Sequence, residues 1–170
     1  MNTIAPSHKS LLTVFGLGAL RPAPGTWGSI PPVVAAGVCA GVVGVGSVEG
    51  RALYGVVLGL IALAFGAACV LWGHEAEAHW RRPDPSHVVA DEAAGQCVTL
   101  LMIPSFMLTG FWSSLVTLLG AFLLFRGFDI LKPWPAGAVE RVAGGWGVLL
   151  DDLVAGLMGG IVIWIVHLAQ

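Results

Sequence analysis

The sequence predicts an all-α fold: a polytopic membrane helical bundle of four to five apolar helices, some of them short or re-entrant. Three observations predict it. The chain has 170 residues, of which 56% are hydrophobic and only 11% charged. Its mean hydropathy is +0.86. Its apolar residues fall into four blocks of near membrane-spanning length, separated by the few charges. A soluble domain this small has too much surface to cover with so few charged side chains, so the whole chain, 1–170, reads as a single integral membrane domain.

The blocks follow in order. Block one, Ile30–Val48, opens on Pro31-Pro32. Block two, Ala52–Trp72, carries no charge. Block three, Ala93–Phe125, is too long for one span and is interrupted at Pro104 and Gly110, so it reads as a hairpin of helices over 93–105 and 111–125. Block four, Leu153–Leu168, is short for a span. Charge bias supports the hairpin. With the N-terminus inside, Lys9, Arg21, Arg81, Arg82, Arg126, Lys132 and Arg141 fall on the inner side and only Arg51 outside. One long helix instead would move Arg126, Lys132 and Arg141 out. The 24 glycines suit close helix packing. The N-terminal stretch does not read as a signal peptide, because its short apolar run is broken by Gly and Pro.

The net charge of −2 gives no basis for nucleic-acid binding. Cys39, Cys69 and Cys97 sit in apolar runs at no metal-knuckle spacing and read as buried, inert thiols. The His74–His79 stretch "HEAEAH" is not a zincin motif, because its histidines are five apart and point about 140° away from each other. His87 lies close to Asp91 and reads as a bystander or a proton-transfer partner. "GGWG" (Gly144–Gly147) has no dinucleotide-fingerprint context and reads as a flexible approach to the aspartates after it.

Of ten acidic residues, all but Glu49 fall on the inner side. Asp91-Glu92 and Asp151-Asp152 are expected at the first turns of two apolar helices, and Asp129 at the end of a third. Capping and the helix dipole explain one acid per helix start, at about 0.3–1 kcal/mol each. They explain adjacent pairs poorly, because the second acid points about 100° away. The other reading is a cation site: hard carboxylate oxygens at membrane depth suit Mg²⁺, which completes its shell with waters and a substrate phosphate. Arg126, Asp129 and Lys132, spaced by three, form either an interfacial ion-pair ladder or a site in which Asp129 faces metal while both cations hold phosphate oxygens. "RPAPGTWGS" (Arg21–Ser29) is expected to be a stiff, non-helical loop. It reads either as a re-entrant turn or as a phosphate cradle built from Arg21, Gly25, Thr26 and Ser29. Trp27 and Trp134, beside these residues, are candidate headgroup contacts.

Four ordered segments carry a family resemblance: "GLGALRPAPGTWGS" (16–29), "DPSHVVADEAAG" (84–95), "FRGFDILKPWP" (125–135) and "GGWGVLLDDLVAG" (144–156). With these the chain resembles the phosphatidylglycerophosphatase A family. The first segment departs in having Arg21 where the family commonly has Pro. The second has Ser86 in place of a common Gly.

The resemblance implies a Mg²⁺-dependent, multi-pass phosphatase of the bacterial inner membrane with its site facing the cytoplasm. It would convert phosphatidylglycerol phosphate to phosphatidylglycerol and phosphate. The carried-over positions are Asp91, Glu92, Asp129, Lys132, Asp151 and Asp152, with Gly25, Thr26 and Ser29 in the first segment. No covalent nucleophile stands out, so a metal-activated water is the expected attacker. Asp91, Glu92, Asp151 and Asp152 are the expected metal ligands, Asp129 a ligand or base, and Lys132 and Arg126 the phosphoryl charge partners. Its partners are the lipid substrate and the membrane; the oligomeric state is not legible. The rival readings are another phospholipid headgroup enzyme, whose D-x2-D-G-x2-A-R signature is absent, and a small ion or proton carrier, for which mid-span acids are expected.

Overall fold

The computed structural model describes residues 4–136 and 145–169. Arg141, Glu140 and Gly144, used above in the charge bias, the acidic count and the glycine-rich approach, lie outside the described residues. The described chain is helical without strands and has six α-helices: α1 (Pro6–Leu12), α2 (Pro24–Val38), α3 (Val48–Trp80), α4 (Ala90–Leu101), α5 (Phe111–Leu131) and α6 (Gly145–Leu168). Four helical segments are long and apolar enough to cross a membrane: Pro24–Val43, Val48–Trp80, Phe111–Leu131 and Trp146–Leu168. The chain is a membrane protein. The five apolar helices expected from the blocks are α2 to α6. The short α1 is an addition, packed on the end of α3 through a His8–Trp72 stack and a His8–Glu75 contact of 2.8 Å.

Two boundaries differ from expectation. The segment from Pro24 to Ser29 is the start of α2, not a loop. Pro24 occupies the first turn, where its missing N–H costs nothing. Pro31 and Pro32 are accommodated inside the helix, and a π-helical turn, Cys39–Val43, extends it. Likewise Gly145–Gly147 is already helical, so α6 starts well before the expected Leu153. Asp151 and Asp152 are therefore about two turns into α6 rather than in its first turn, and cannot be caps.

The remaining ends follow local chemistry. Ser47 caps α3 by accepting from the Gly50 N–H at 3.0 Å. Arg81 ends α3, and Lys132 ends α5, both in the left-handed conformation (φ 54° and 43°); Pro133 then forbids continuation. Pro104 breaks the hairpin, and a 3₁₀ turn, Ser105–Leu108, leads into α5.

Helix α4 is too short to span and is enclosed by the bundle. Its last carbonyls cannot reach water, so neighbours satisfy them. The Tyr54 hydroxyl donates to Leu100 O at 2.8 Å, Arg51 Nη2 to Leu101 O at 3.1 Å, and Trp164 Nε1 to Met102 O at 2.8 Å. Along its length α4 meets α6 through glycines. A Cβ on Gly95 would lie 2.5 Å from Asp152 O, and one on Gly156 would collide with Gly95 O. Lys9, Arg81, Arg82, Arg126 and Lys132 gather at the end where α4 begins, and Arg51 lies at the other end. Cys39, Cys69 and Cys97 are free and buried.

The glycine contact makes a prediction. Gly156→Val should destabilise the bundle by about 1–3 kcal/mol through overpacking, seen as a lower melting temperature in detergent. Gly59→Val, at a position with open space, should leave melting close to wild type.

Candidate active site

Four helices converge where α4 begins. Val89, the residue before α4, offers no side-chain cap, and Asp91 and Glu92 occupy the first turn, where the helix dipole favours negative charge. Gly28 of α2 packs directly on Val89, with a built Cβ only 2.6 Å from Val89 Cβ. That approach brings the start of α2 against the start of α4. From the other side, the α4–α6 glycine contact presents Asp152.

Asp91, Glu92 and Asp152 each offer one carboxylate oxygen, and these oxygens all lie within 4.8 Å of one another. Asp91 and Asp152 are 4% exposed. Asp91 Oδ1 and Glu92 Oε2 are buried with no hydrogen-bond partner. Burial raises the carboxyls of both Asp91 and Glu92 above the ordinary range, and for Glu92 the Asp91 charge adds to it. Three carboxylates this close, two of them buried and the third half-buried, stay ionised together only beside a cation. The ligand atoms would be hard oxygens, two of them with lone pairs engaged by no donor, so the residues present fit Mg²⁺.

Asp151, expected among the ligands, is outside this trio. Adjacent helical residues point about 100° apart; Asp152 faces α4, so Asp151 faces the end of α5. There Lys132 Nζ donates to Asp151 Oδ2 at 2.6 Å, and Asp151 Oδ1 accepts from the Asp152 N–H at 3.0 Å. The left-handed turn at Lys132 aims it across to α6. Arg126 forms the expected i,i+3 ion pair with Asp129, both only 13% exposed in their side chains. The Asp129 charge acts on both Glu92 and Asp152.

The first segment contributes through backbone. A Cβ on Gly25 would meet Glu92 Oε1 and lie 2.9 Å from Arg126 Nη1, so a side chain there would displace the tips of both residues, and glycine lets the α2 start approach them as placed. The Gly25 and Thr26 amides lie in the first turn, where N–H groups have no intrahelical acceptor. Ser29 is buried, and its hydroxyl donates to Gly25 O at 2.8 Å, so it braces the turn. Arg21 is exposed and lies before α2; its charge acts on His87. His87 stacks on Trp80 at 5.3 Å, and burial, followed by the charges of Arg21, Lys9 and Arg82, lowers its pKa. Glu75 of the "HEAEAH" stretch contacts His8, and His74 contacts Glu77 at 3.4 Å. Trp27 and Trp134 are exposed. Gln96, fully buried one turn beyond Glu92, carries no motif signal; its spacing of four from Glu92 is its only mark in the sequence.

Comparison with known proteins shows the family. A family model described as phosphatidylglycerophosphatase A matches residues 10–167. The chain belongs to the phosphatidylglycerophosphatase A family. It is 37% identical to a Haemophilus influenzae protein named phosphatidylglycerophosphatase A, over 98% of this chain and 92% of that one. It is 37% identical to the Escherichia coli protein of the same name over 49% of this chain and 46% of that one. A Bacteroides thetaiotaomicron protein named putative phosphatidylinositol-3-phosphatase is 37% identical over 61% of each chain. No solved structure matches. As a member of the phosphatidylglycerophosphatase A family, the chain is a phosphatase.

Gly25→Ala tests the approach of α2. Alanine suits a helix, but its methyl group collides with the Glu92 carboxylate and the Arg126 guanidinium. Phosphatase activity should fall at least about tenfold, equivalent to about 1.4 kcal/mol of lost transition-state stabilisation, while the melting temperature stays within a few degrees of wild type.

Proposed function

We propose that this chain hydrolyses the terminal phosphate monoester of phosphatidylglycerol phosphate, at the cytoplasmic face of a bacterial inner membrane, using Mg²⁺. The observation that carries the reading is the trio of Asp91, Glu92 and Asp152 oxygens within 4.8 Å of one another, beside two cations held by acids of their own. The positive charges gathered at the same end support the cytoplasmic orientation.

Asp91, Glu92 and Asp152 would hold the ion. Bound there, Mg²⁺ would supply Lewis acidity toward water and the phosphoryl oxygens. Arg126 binds the transferring phosphate. Its Nε is buried with no hydrogen-bond partner, and Asp129 holds the guanidinium in place. The Gly25 and Thr26 amides at the start of α2 receive phosphate oxygens, as helix N-termini do. Lys132, oriented by Asp151, offsets charge on the same group. Asp129 accepts the proton of the attacking water at its carboxylate. Ser29 braces the α2 start through Gly25 O, and Arg21 lies at the approach for the anionic headgroup. The acyl chains remain in the bilayer, so the site admits only the headgroup.

Phosphate release by the purified protein in detergent tests this. Phosphatidylglycerol phosphate with Mg²⁺ should give phosphate, and chelator should abolish it. Phosphatidylinositol 3-phosphate should be a much poorer substrate; a preference for it would replace the substrate reading. Asp152→Asn should abolish turnover while the protein still inserts and melts normally. Asp151→Asn and Lys132→Ala should both lower kcat with little change in Mg²⁺ dependence. A shifted Mg²⁺ dependence in the Asp151 variant would return it to the ligand set. Release of phosphate from no lipid would favour the ion-carrier reading.

A further inference from the structure

Among the described residues, Gln96 is the only side chain with both a donor and an acceptor buried and unpartnered: neither its Oε1 nor its Nε2 makes a hydrogen bond. It is 0% exposed. An amide enclosed in a membrane bundle without partners is costly, and an apolar side chain of the same volume would carry no such cost. A polar residue acting as glue between helices would show an interhelical bond, as Thr99 does by donating to Gly156 O at 2.9 Å. Gln96 shows none. Four residues earlier on the same helix, Glu92 Oε2 is also buried and unpartnered. Residues four apart share a helix face, and long helical side chains lean toward the N-terminus. Gln96 and Glu92 therefore share one face of α4.

We propose that Gln96 is a positioning residue for the cation site: with a cation bound, its amide N–H would donate to Glu92 Oε2, a bond the structure without the ion does not make, and would fix the direction in which Glu92 presents its other oxygen. The inference rests on the metal-dependent reading above. Groups behind a metal ligand set its orientation, and their loss typically weakens metal binding by about 10–100-fold. The Gln96 Oε1 is left as an acceptor for a water molecule.

The test is calorimetric titration of Mn²⁺ into the purified full chain in detergent, comparing wild type with Gln96→Met, which keeps the volume and removes the donor. Mn²⁺ affinity should fall about 10–100-fold. Activity should recover toward the wild-type kcat at saturating Mg²⁺, and melting in chelator should be unchanged or raised. Unchanged Mn²⁺ affinity, or a kcat loss that saturating metal does not repair, would overturn the proposal. If Gln96→Met does not fold, Gln96→Asn decides: it keeps the amide but is one methylene too short, so weakened Mn²⁺ binding supports the role and wild-type binding refutes it. A wild-type protein that binds no Mn²⁺ refutes the cation site itself, which separates failure of that reading from failure of this one.

Discussion

The site depends on the approach of α4 to α6 with nothing but backbone between them. Lipid tails are as apolar as leucine, so membrane helices gain little from hydrophobic burial against each other and rely on close packing. Here Gly95 and Gly156 remove the side chains that would hold the helices apart, and Gly159 and Gly160 continue the seam against Thr99 and Met102. The hydroxyl of Thr99 ties the same contact by donating to Gly156 O. Because the Gly95 backbone lies against the Asp152 carbonyl, the Asp152 side chain is set down beside the first turn of α4. The acidic trio follows from helix contact, with no loop required to bring it together.

Helix α4 has a second constraint that the other helices lack. A helix that stops inside a bundle leaves carbonyls where no water can reach them. Tyr54, Arg51 and Trp164 supply the missing donors from α3 and α6. That fixes how far α4 penetrates, and so fixes the depth of Asp91 and Glu92 at its other end. Arg51, the cation opposite the charge-rich end, thus has a structural role. Its guanidinium lies over the Tyr54 ring, 5.1 Å from the centroid, and both residues hold the end of α4. The cap and the acidic trio lie at the two ends of one short helix, and a shift at either moves the other.

The sequence made the types of residue legible, but not their directions. Apolar block lengths and the Pro104 break revealed the hairpin, because proline and hydrophobic thickness act locally. The acidic pairs stood out because charge is scarce in this chain. Which member of the second pair joins the trio was not legible, since it depends on rotation about α6 and on where that helix begins. The glycines at 145 and 147 suggested a flexible approach, yet they are helical because packing against the bundle outweighs their weak propensity. The same override turned Pro24–Ser29 into a helix start: glycine there serves close contact with Glu92 and Val89, not loop flexibility. Lys132 pairs with Asp151 because its left-handed turn takes it off the α5 face, which a spacing of three could not reveal.

The charge balance at the site then limits its chemistry. Five carboxylates, Asp91, Glu92, Asp129, Asp151 and Asp152, face two cations, Arg126 and Lys132. Each cation is already engaged by one acid, Arg126 by Asp129 and Lys132 by Asp151. Among the described residues, the trio left over makes no ion pair with a cation of its own. Without metal, burial, and for Glu92 the neighbouring Asp91 charge, favour protons on the Asp91 and Glu92 carboxyls. A divalent ion held there would bind by displacing those protons, so the charge buried among the helices would change less between the metal-free and loaded states than the ion's own charge implies. The same exchange keeps Arg126 and Lys132 from being drawn into the trio, so both stay placed for a phosphate that must approach an otherwise acidic pocket.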